Sequence, residues 1–188
     1  MYEIRIHGRG GQGVKTVAQL IGRAAYLAGF QIQDFAIYGA ERRGAPLMSF
    51  VRYDRERILT RGYIPEPDII IIIDSTVPME ECLRGRRDGT PVLLNSPEQK
   101  SGFITLDAMG IALSVLKKPI PNTTMAGASL RFLPDISLKN LTDAIGIEFE
   151  GMPAKVIELN QAAARKGYET VQAPALQKSA REAEVRQP

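Results

Sequence analysis

Residues 6–16 read IHGRGGQGVKT, an apolar strand end that breaks into four glycines within six residues (Gly8, Gly10, Gly11 and Gly13) ahead of Lys15 and Thr16. Upstream, Tyr2, Ile4 and Ile6 alternate with polar residues, which predicts a strand with one covered face. Downstream, Val17, Leu20, Ile21, Ala24, Ala25 and Ala28 recur at helical spacing, and Gly29 supplies a stop. A strand, a glycine turn and a helix in that order open an α/β layer structure. They also aim backbone N–H groups outward at the positive end of a helix dipole. The turn suits an anion, and it equally suits a tight meeting of strand and helix with no ligand. The residues alone leave both readings open.

Two phosphate-binding patterns can be laid over the loop. Gly8, Gly10 and Gly13 satisfy G-x-G-x-x-G, and Asp34 follows about twenty residues later, near the spacing of a ribose-binding acid. On that alternative the chain is a free-standing, dinucleotide-binding oxidoreductase. Against it, the segment around Asp34 is weakly apolar for a central parallel strand. Residues 47–64 also read as an antiparallel hairpin turning at Asp54–Arg55, where a second parallel crossover is needed. A P-loop fits less well. Its lysine belongs directly after Gly13, but Val14 stands there and Lys15 sits about 100° further round the helix.

The rest of the chain continues the alternation of strands and helices. PDIIIIIDST, residues 67–76, carries five consecutive isoleucines, the habit of a central strand covered on both faces. It ends at Asp74 and Ser75, where site residues or turn caps commonly sit. TPVLLNS (90–96) and GFITLDA (102–108) predict two further strands, and residues 106–118 a helix stopped by Pro119 and Pro121. Beyond them the chain becomes helical, with Asn122 and Ser137 as caps, Pro153 in a first turn and Gly167 as a stop. The expected organisation is one α/β domain over residues 1–171 with a helical C-terminal third, then a polar tail over 172–188.

Composition narrows the chemistry. With 44% hydrophobic and 24% charged residues among 188, the chain suits one folded domain. A net charge of +3 falls far short of a nucleic-acid signature, so no nucleic-acid partner is expected. The clusters Arg42–Arg43 and Arg84–Arg86–Arg87 read first as solvated faces. One cysteine, Cys82, and one histidine, His7, cannot supply the roughly four ligands of an iron–sulfur or structural zinc site. No intrachain disulfide is available either, which favours a reducing, cytoplasmic setting. The five-isoleucine run is too short to span a bilayer, so no membrane partner is expected.

Longer patterns decide what the loop alone does not. GRGGQGVKTVAQLIGRAA (8–25), YGAERRGAPLMSFVR (38–52) and ILTRGYIPEPDIIIIID (58–74) occur in order, and VIELNQAAARKGYE (156–169) closes the series. Together they resemble the gamma subunit of 2-oxoacid:ferredoxin oxidoreductases of the pyruvate or 2-ketoisovalerate type. One departure is Ala45, where family members often carry a second glycine or similar small residue. The resemblance implies a layered α/β domain with a mixed, barrel-like sheet. It implies an assembly that oxidatively decarboxylates a 2-oxoacid, forms acyl-coenzyme A and passes two electrons to ferredoxin or a similar acceptor.

The same resemblance places the thiamine diphosphate, its magnesium and the [4Fe–4S] clusters on alpha, beta and ferredoxin-like partner subunits. None of them is bound by this chain alone, and coenzyme A is the ligand it is expected to touch. The expected contact residues are Gly8, Gly10, Gly11, Gln12 and Gly13, with Arg42 and Arg43 adding charge-assisted bonds. A salt bridge to a neighbouring subunit is the competing use of Arg42 and Arg43. No catalytic residue is expected here, because the cofactor supplies the hard chemistry. His7 invites a general-base reading but reads first as a hydrogen-bonded packing residue. Glu41 is taken as an ion-pair partner of either arginine, and Cys82 as packed and inert. Asp74 and Ser75 are site candidates, with capping of the next turn as the alternative for Ser75.

Overall fold

The computed structural model describes residues 1–38 and 44–172, so the expectations for Glu41, Arg42, Arg43 and the tail fall outside the described residues. Six strands, β1 (Tyr2–Arg9), β2 (Gln31–Tyr38), β3 (Pro46–Asp54), β4 (Ile69–Ile72), β5 (Val92–Asn95) and β6 (Ile104–Leu106), form one mixed sheet in the order β2-β3-β1-β4-β5-β6. β1 is central, antiparallel to β3 and parallel to β4, while β4, β5 and β6 run parallel. Among the described residues β2 and β6 remain edges. The sheet is therefore open where the resemblance implied a barrel-like form, because β2 and β6 lie at opposite ends of the order and pair with nothing to close it.

Helices α1 (Val14–Leu27), α3 (Ala108–Leu116), α4 (Asn122–Ser129), α5 (Leu138–Glu148) and α6 (Ala154–Thr170) pack against one another around the larger core, with α1 against β1, β2 and β3. Short α2 (Met79–Leu83) lies over β4 on the opposite face. The isoleucine run shows why two layers form. Ile69, Ile71 and Ile73 enter the large core under the helices, and Ile70 and Ile72 enter a smaller one with Val77, Cys82, Val92 and Leu94. Successive side chains of a strand point to opposite faces, so an unbroken apolar run has to be covered on both.

The expected hairpin within residues 47–64 does not form. β3 instead pairs with β2 on one side and β1 on the other, and residues 55–68 run as an irregular strap across the second face. Its carbonyls are occupied by buried arginines rather than by a strand. Arg52, 0% exposed, donates Nη1 to Gly62 O at 3.0 Å and Nη2 to Tyr63 O at 2.9 Å, and its Nε meets Glu3 Oε1 at 2.8 Å. Arg5 donates to Ile64 O at 3.3 Å and Pro65 O at 3.2 Å, and to Cys82 O and Arg84 O beyond. For this reason β1 has two covered faces instead of one: its polar residues Glu3, Arg5 and His7 are buried beneath the strap and the α2 region.

Several cap expectations change as well. Ser137 does cap α5, in a reciprocal capping box with Asn140. Asn122 is the first residue of α4 rather than its cap, and its side chain accepts the neighbouring Thr123 N–H at 2.7 Å. Gly167 lies inside α6, which continues to Thr170. A Cβ there would stand 2.1 Å from Thr124 O, and one at Gly127 would stand 1.9 Å from Ala164 O. These two glycines let the backbones of α4 and α6 touch. The Arg84–Arg87 cluster is only partly solvated, since Arg87 pairs with Asp68 at 2.8 Å and Arg86 donates to Thr90 O at 3.1 Å.

Candidate functional site

β1 and β4 are parallel neighbours and β3 is antiparallel to β1, so three loops reach the same end of the sheet. They are residues 8–13 after β1, residues 44–45 before β3, and residues 74–76 after β4. A cleft at strand C-termini is where open α/β sheets place ligands. Arg9 joins all three loops. Its Nη1 donates to Gly44 O at 2.9 Å, its Nε to Thr76 Oγ1 at 2.8 Å and its Nη2 to Thr76 O at 2.8 Å. Gly10 adds a two-way backbone bridge, donating to Ala45 O and accepting from Gly44 N–H.

Gln12 closes the glycine loop with both ends of its amide. Oε1 accepts Arg9 N–H at 2.9 Å, and Nε2 donates to Asp74 Oδ2. Asp74 also accepts the Thr76 N–H at 2.8 Å and the Thr76 hydroxyl at 2.7 Å, and stands 3.7 Å from Arg9 Nε. Burial raises the Asp74 pKa, and these donors with the Arg9 charge bring it below the ordinary carboxylate value. Asp74 is thus the clasp of the turn after β4, while Ser75 is exposed and caps no helix.

The glycines are required by contact as well as by torsion. A Cβ on Gly8 would stand 2.7 Å from Val14 Cγ2 and 3.3 Å from Ile73 Cβ. Gly13, the residue before α1, has φ +77°, and a Cβ there would stand 2.5 Å from Asn122 Nδ2. The N-terminus of α1 therefore meets the N-terminus of α4, and neither helix carries an acid in its first turn. Among the described residues, no acceptor takes the N–H groups of Gly11, Gly13, Val14, Lys15 or Thr16. Two positive dipole ends and a row of open donors are the complement of an anionic group. Asp74 borders this ground, but its oxygens already face donors from Gln12, Thr76 and Arg9.

The other sequence candidates separate cleanly. Asp34 is exposed on the antiparallel edge strand β2, which is divided from β1 by β3. A dinucleotide fold needs that acid at the end of a parallel neighbour of β1, so the dinucleotide reading is overturned. Lys15 is exposed beside buried Val14, as the displaced P-loop lysine required. His7 is buried, and its Nε2 accepts from Arg5 Nε at 3.0 Å, so the ring proton sits on Nδ1. Burial first, then the Arg5 charge, lowers its pKa to about 3, which leaves it a neutral packing group. Burial likewise pushes the Cys82 thiol up to about 11, with opposite pulls from Arg5 and Glu81.

Arg9 and Thr76 were missed as site residues. Arg9 stands within the glycine motif, where a long donor-rich side chain among residues without side chains was the available signal. Beside the loop lies a pocket of about 230 Å³, lined by His7, Gly8, Met48, Tyr63 and Cys82 among others. Among the described residues, no three or more His, Cys, Asp and Glu gather to hold a metal. No helix among them is long and apolar enough to cross a membrane.

Residues 3–170 match the family described as pyruvate ferredoxin/flavodoxin oxidoreductase. The chain is 40% identical to the pyruvate synthase subunit PorC of Methanothermobacter thermautotrophicus, over 92% of this chain and 97% of that protein. It is 35% identical to the pyruvate/ketoisovalerate oxidoreductases common subunit gamma of Pyrococcus furiosus, over 90% and 96%. The crystal structure of the pyruvate oxidoreductase subunit PORC of Thermotoga maritima superposes with a TM-score of 0.79 at 35% identity, covering 91% of this chain and 97% of that one. A 2-oxoglutarate:ferredoxin oxidoreductase from Magnetococcus marinus, solved with 2-oxoglutarate, coenzyme A and succinyl-CoA bound, shares the fold alone. It has a TM-score of 0.76 at 21% identity, over 92% of this chain and 32% of that one.

Proposed function

The chain belongs to the pyruvate ferredoxin/flavodoxin oxidoreductase family, as a gamma-type subunit of a 2-oxoacid oxidoreductase complex, and on that premise we propose how it serves. Its glycine loop holds the phosphates of coenzyme A. Alpha, beta and ferredoxin-like subunits hold the thiamine diphosphate, magnesium and iron–sulfur clusters, and ferredoxin or a similar carrier takes the electrons. The thiamine cofactor supplies the decarboxylation chemistry. The complex works in the cytoplasm, which suits a chain with a single buried thiol.

Within that division of labour, the residues of this chain bind and position. The open N–H groups between Gly11 and Thr16 are the phosphate donors, and the Arg42–Arg43 pair adds charge-assisted bonds. Arg9 and Gln12 hold the loop open and in register, through their bonds to Gly44, Thr76 and Asp74. The single observation that carries the proposal is the meeting of two acid-free helix N-termini at a glycine loop clamped from both sides.

The test is kinetic and uses the reconstituted complex. Arg42→Ala removes a phosphate contact and Arg9→Gln loosens the clamp. Each should raise the apparent KM for coenzyme A about tenfold or more, the effect of losing one charge-assisted hydrogen bond. Electron release from the 2-oxoacid in the absence of coenzyme A should stay at the wild-type rate. Unchanged KM values in both variants would defeat the phosphate role. Turnover by the isolated chain would defeat the division of labour.

A further inference from the structure

The strap over residues 55–68 is ordered by other residues' side chains rather than by its own. Arg52 and Arg5 are buried, and between them they fix the carbonyls of Gly62, Tyr63, Ile64 and Pro65. The strap's own side chains mostly face outward. Ile64 and Pro67 are buried, whereas Leu59 is 75% exposed and Tyr63 63% exposed. Arg57 and Arg61 are exposed, and among the described residues neither has an acidic partner. Arg55 folds back over the Phe30 ring at 4.8 Å and within 3.8 Å of Asp135, and the Tyr63 ring meets Phe50 edge-on at 5.8 Å between centroids.

An irregular segment that contributes little to the core loses nothing by being polar and slack. Here two buried guanidinium groups hold one in a single shape while it presents a leucine, a tyrosine and two unpaired arginines. Tyrosine and arginine around an apolar anchor are the composition of interface hot spots, and a preset backbone lowers the ordering cost of association. Tyr63 also lines the pocket that reaches Gly8, so the presented surface is continuous with the end of the sheet that carries the glycine loop.

We infer that residues 57–63 are the element by which this chain docks onto a partner subunit of its complex, at an acidic surface with an apolar notch for Leu59. The inference rests on the proposed complex and deepens it. Residues 55–63 carry three arginines against one glutamate, so the complementary face is acidic. Leu59 at its centre selects a protein surface over a bare polyanion. Docking here would bring the partner's surface up to the mouth of the glycine loop.

The test measures assembly of the full chain with its co-purified partner subunits by native mass spectrometry and sedimentation. Leu59→Asp and the double variant R57E/R61E should each raise the dissociation constant of this chain about tenfold or more. Leu59→Met and R57K/R61K should assemble like wild type. All four should unfold at the wild-type temperature, because the changed side chains are exposed. Wild-type assembly by both Leu59→Asp and R57E/R61E would overturn the inference while leaving the complex standing. A switch in which assembly persists but binding of single-stranded RNA is lost would overturn it too. Failure of the wild-type chain to join any thiamine-bearing subunit would instead bring down the functional reading beneath it.

Discussion

Gly13→Ala isolates what holds the mouth of the site in shape. Gly13 sits at φ +77°, where an alanine is disfavoured by about 1–2 kcal/mol. Its new Cβ would also stand 2.5 Å from Asn122 Nδ2 and 3.0 Å from Asn122 Cβ, an overpacking worth about 1–3 kcal/mol. The expected loss is about 2–5 kcal/mol. For a chain of this length that lowers Tm by about 4–20 °C, readable by urea and thermal unfolding followed by circular dichroism. Asn122→Ala removes Nδ2 and leaves Thr123 N–H without its 2.7 Å acceptor, at about 1–3 kcal/mol. Because it also removes the worst clash, the double variant should lose about 1–3 kcal/mol less than the sum of the singles. Additivity within about 0.5 kcal/mol would refute the claim that α1 and α4 press together at this point. Wild-type stability of Gly13→Ala would refute the backbone argument as well.

Two further outcomes follow from the same contacts. Gly167→Ala should destabilise the chain by more than about 2 kcal/mol, because its Cβ meets Thr124 O at 2.1 Å. Gly146→Ala, whose Cβ would meet Gln161 Nε2 at 3.8 Å, should be neutral or stabilising by up to about 1 kcal/mol; chemical denaturation ranks them, and the reverse order would refute the close crossing of α4 and α6. His7, with a pKa lowered from 6.5 to about 3, lets the unfolded chain take up a proton before the folded one does. Its contribution is therefore complete above about pH 6.5 and is lost as pH falls towards 3, and His7→Gln should flatten the stability profile in that window. An unchanged slope would mean that His7 is solvated.

Most of the layer structure was legible because its elements are periodic. β1, α1, β4, β5, β6, α3 and α5 stand close to where the alternation, helical spacing and Ser137 cap put them. What misled were places where tertiary partners replace local ones. Residues 58–64 look like a strand by composition, yet buried arginines take the carbonyls that a ladder needs. Glu3 and Arg5 look like a solvated strand face, but the strap covers them. Gly167 looks like a helix stop, and is instead a backbone crossing with α4. At that end of the sheet, the glycine turn between β1 and α1 was readable from its spacing, Gln12 came only with the resemblance, and Asp74 was readable as the end of an apolar strand. The clamp by Arg9, Thr76 and Asp74 was not, because residues 9 and 76 meet only once β1 and β4 lie side by side.

The central strand is also made before both strands that flank it. β1 ends at Arg9, but its two hydrogen-bonding flanks stay empty until β3 ends at Asp54 and β4 at Ile72. At ribosomal speeds of about 5–20 residues per second, that interval is on the order of 3–13 s. Throughout it, a strand with two bare edges and one apolar face is available to any other nascent strand, so slow translation or crowding of polysomes should trap this polypeptide in intermolecular sheets more readily than a chain whose middle strand arrives late.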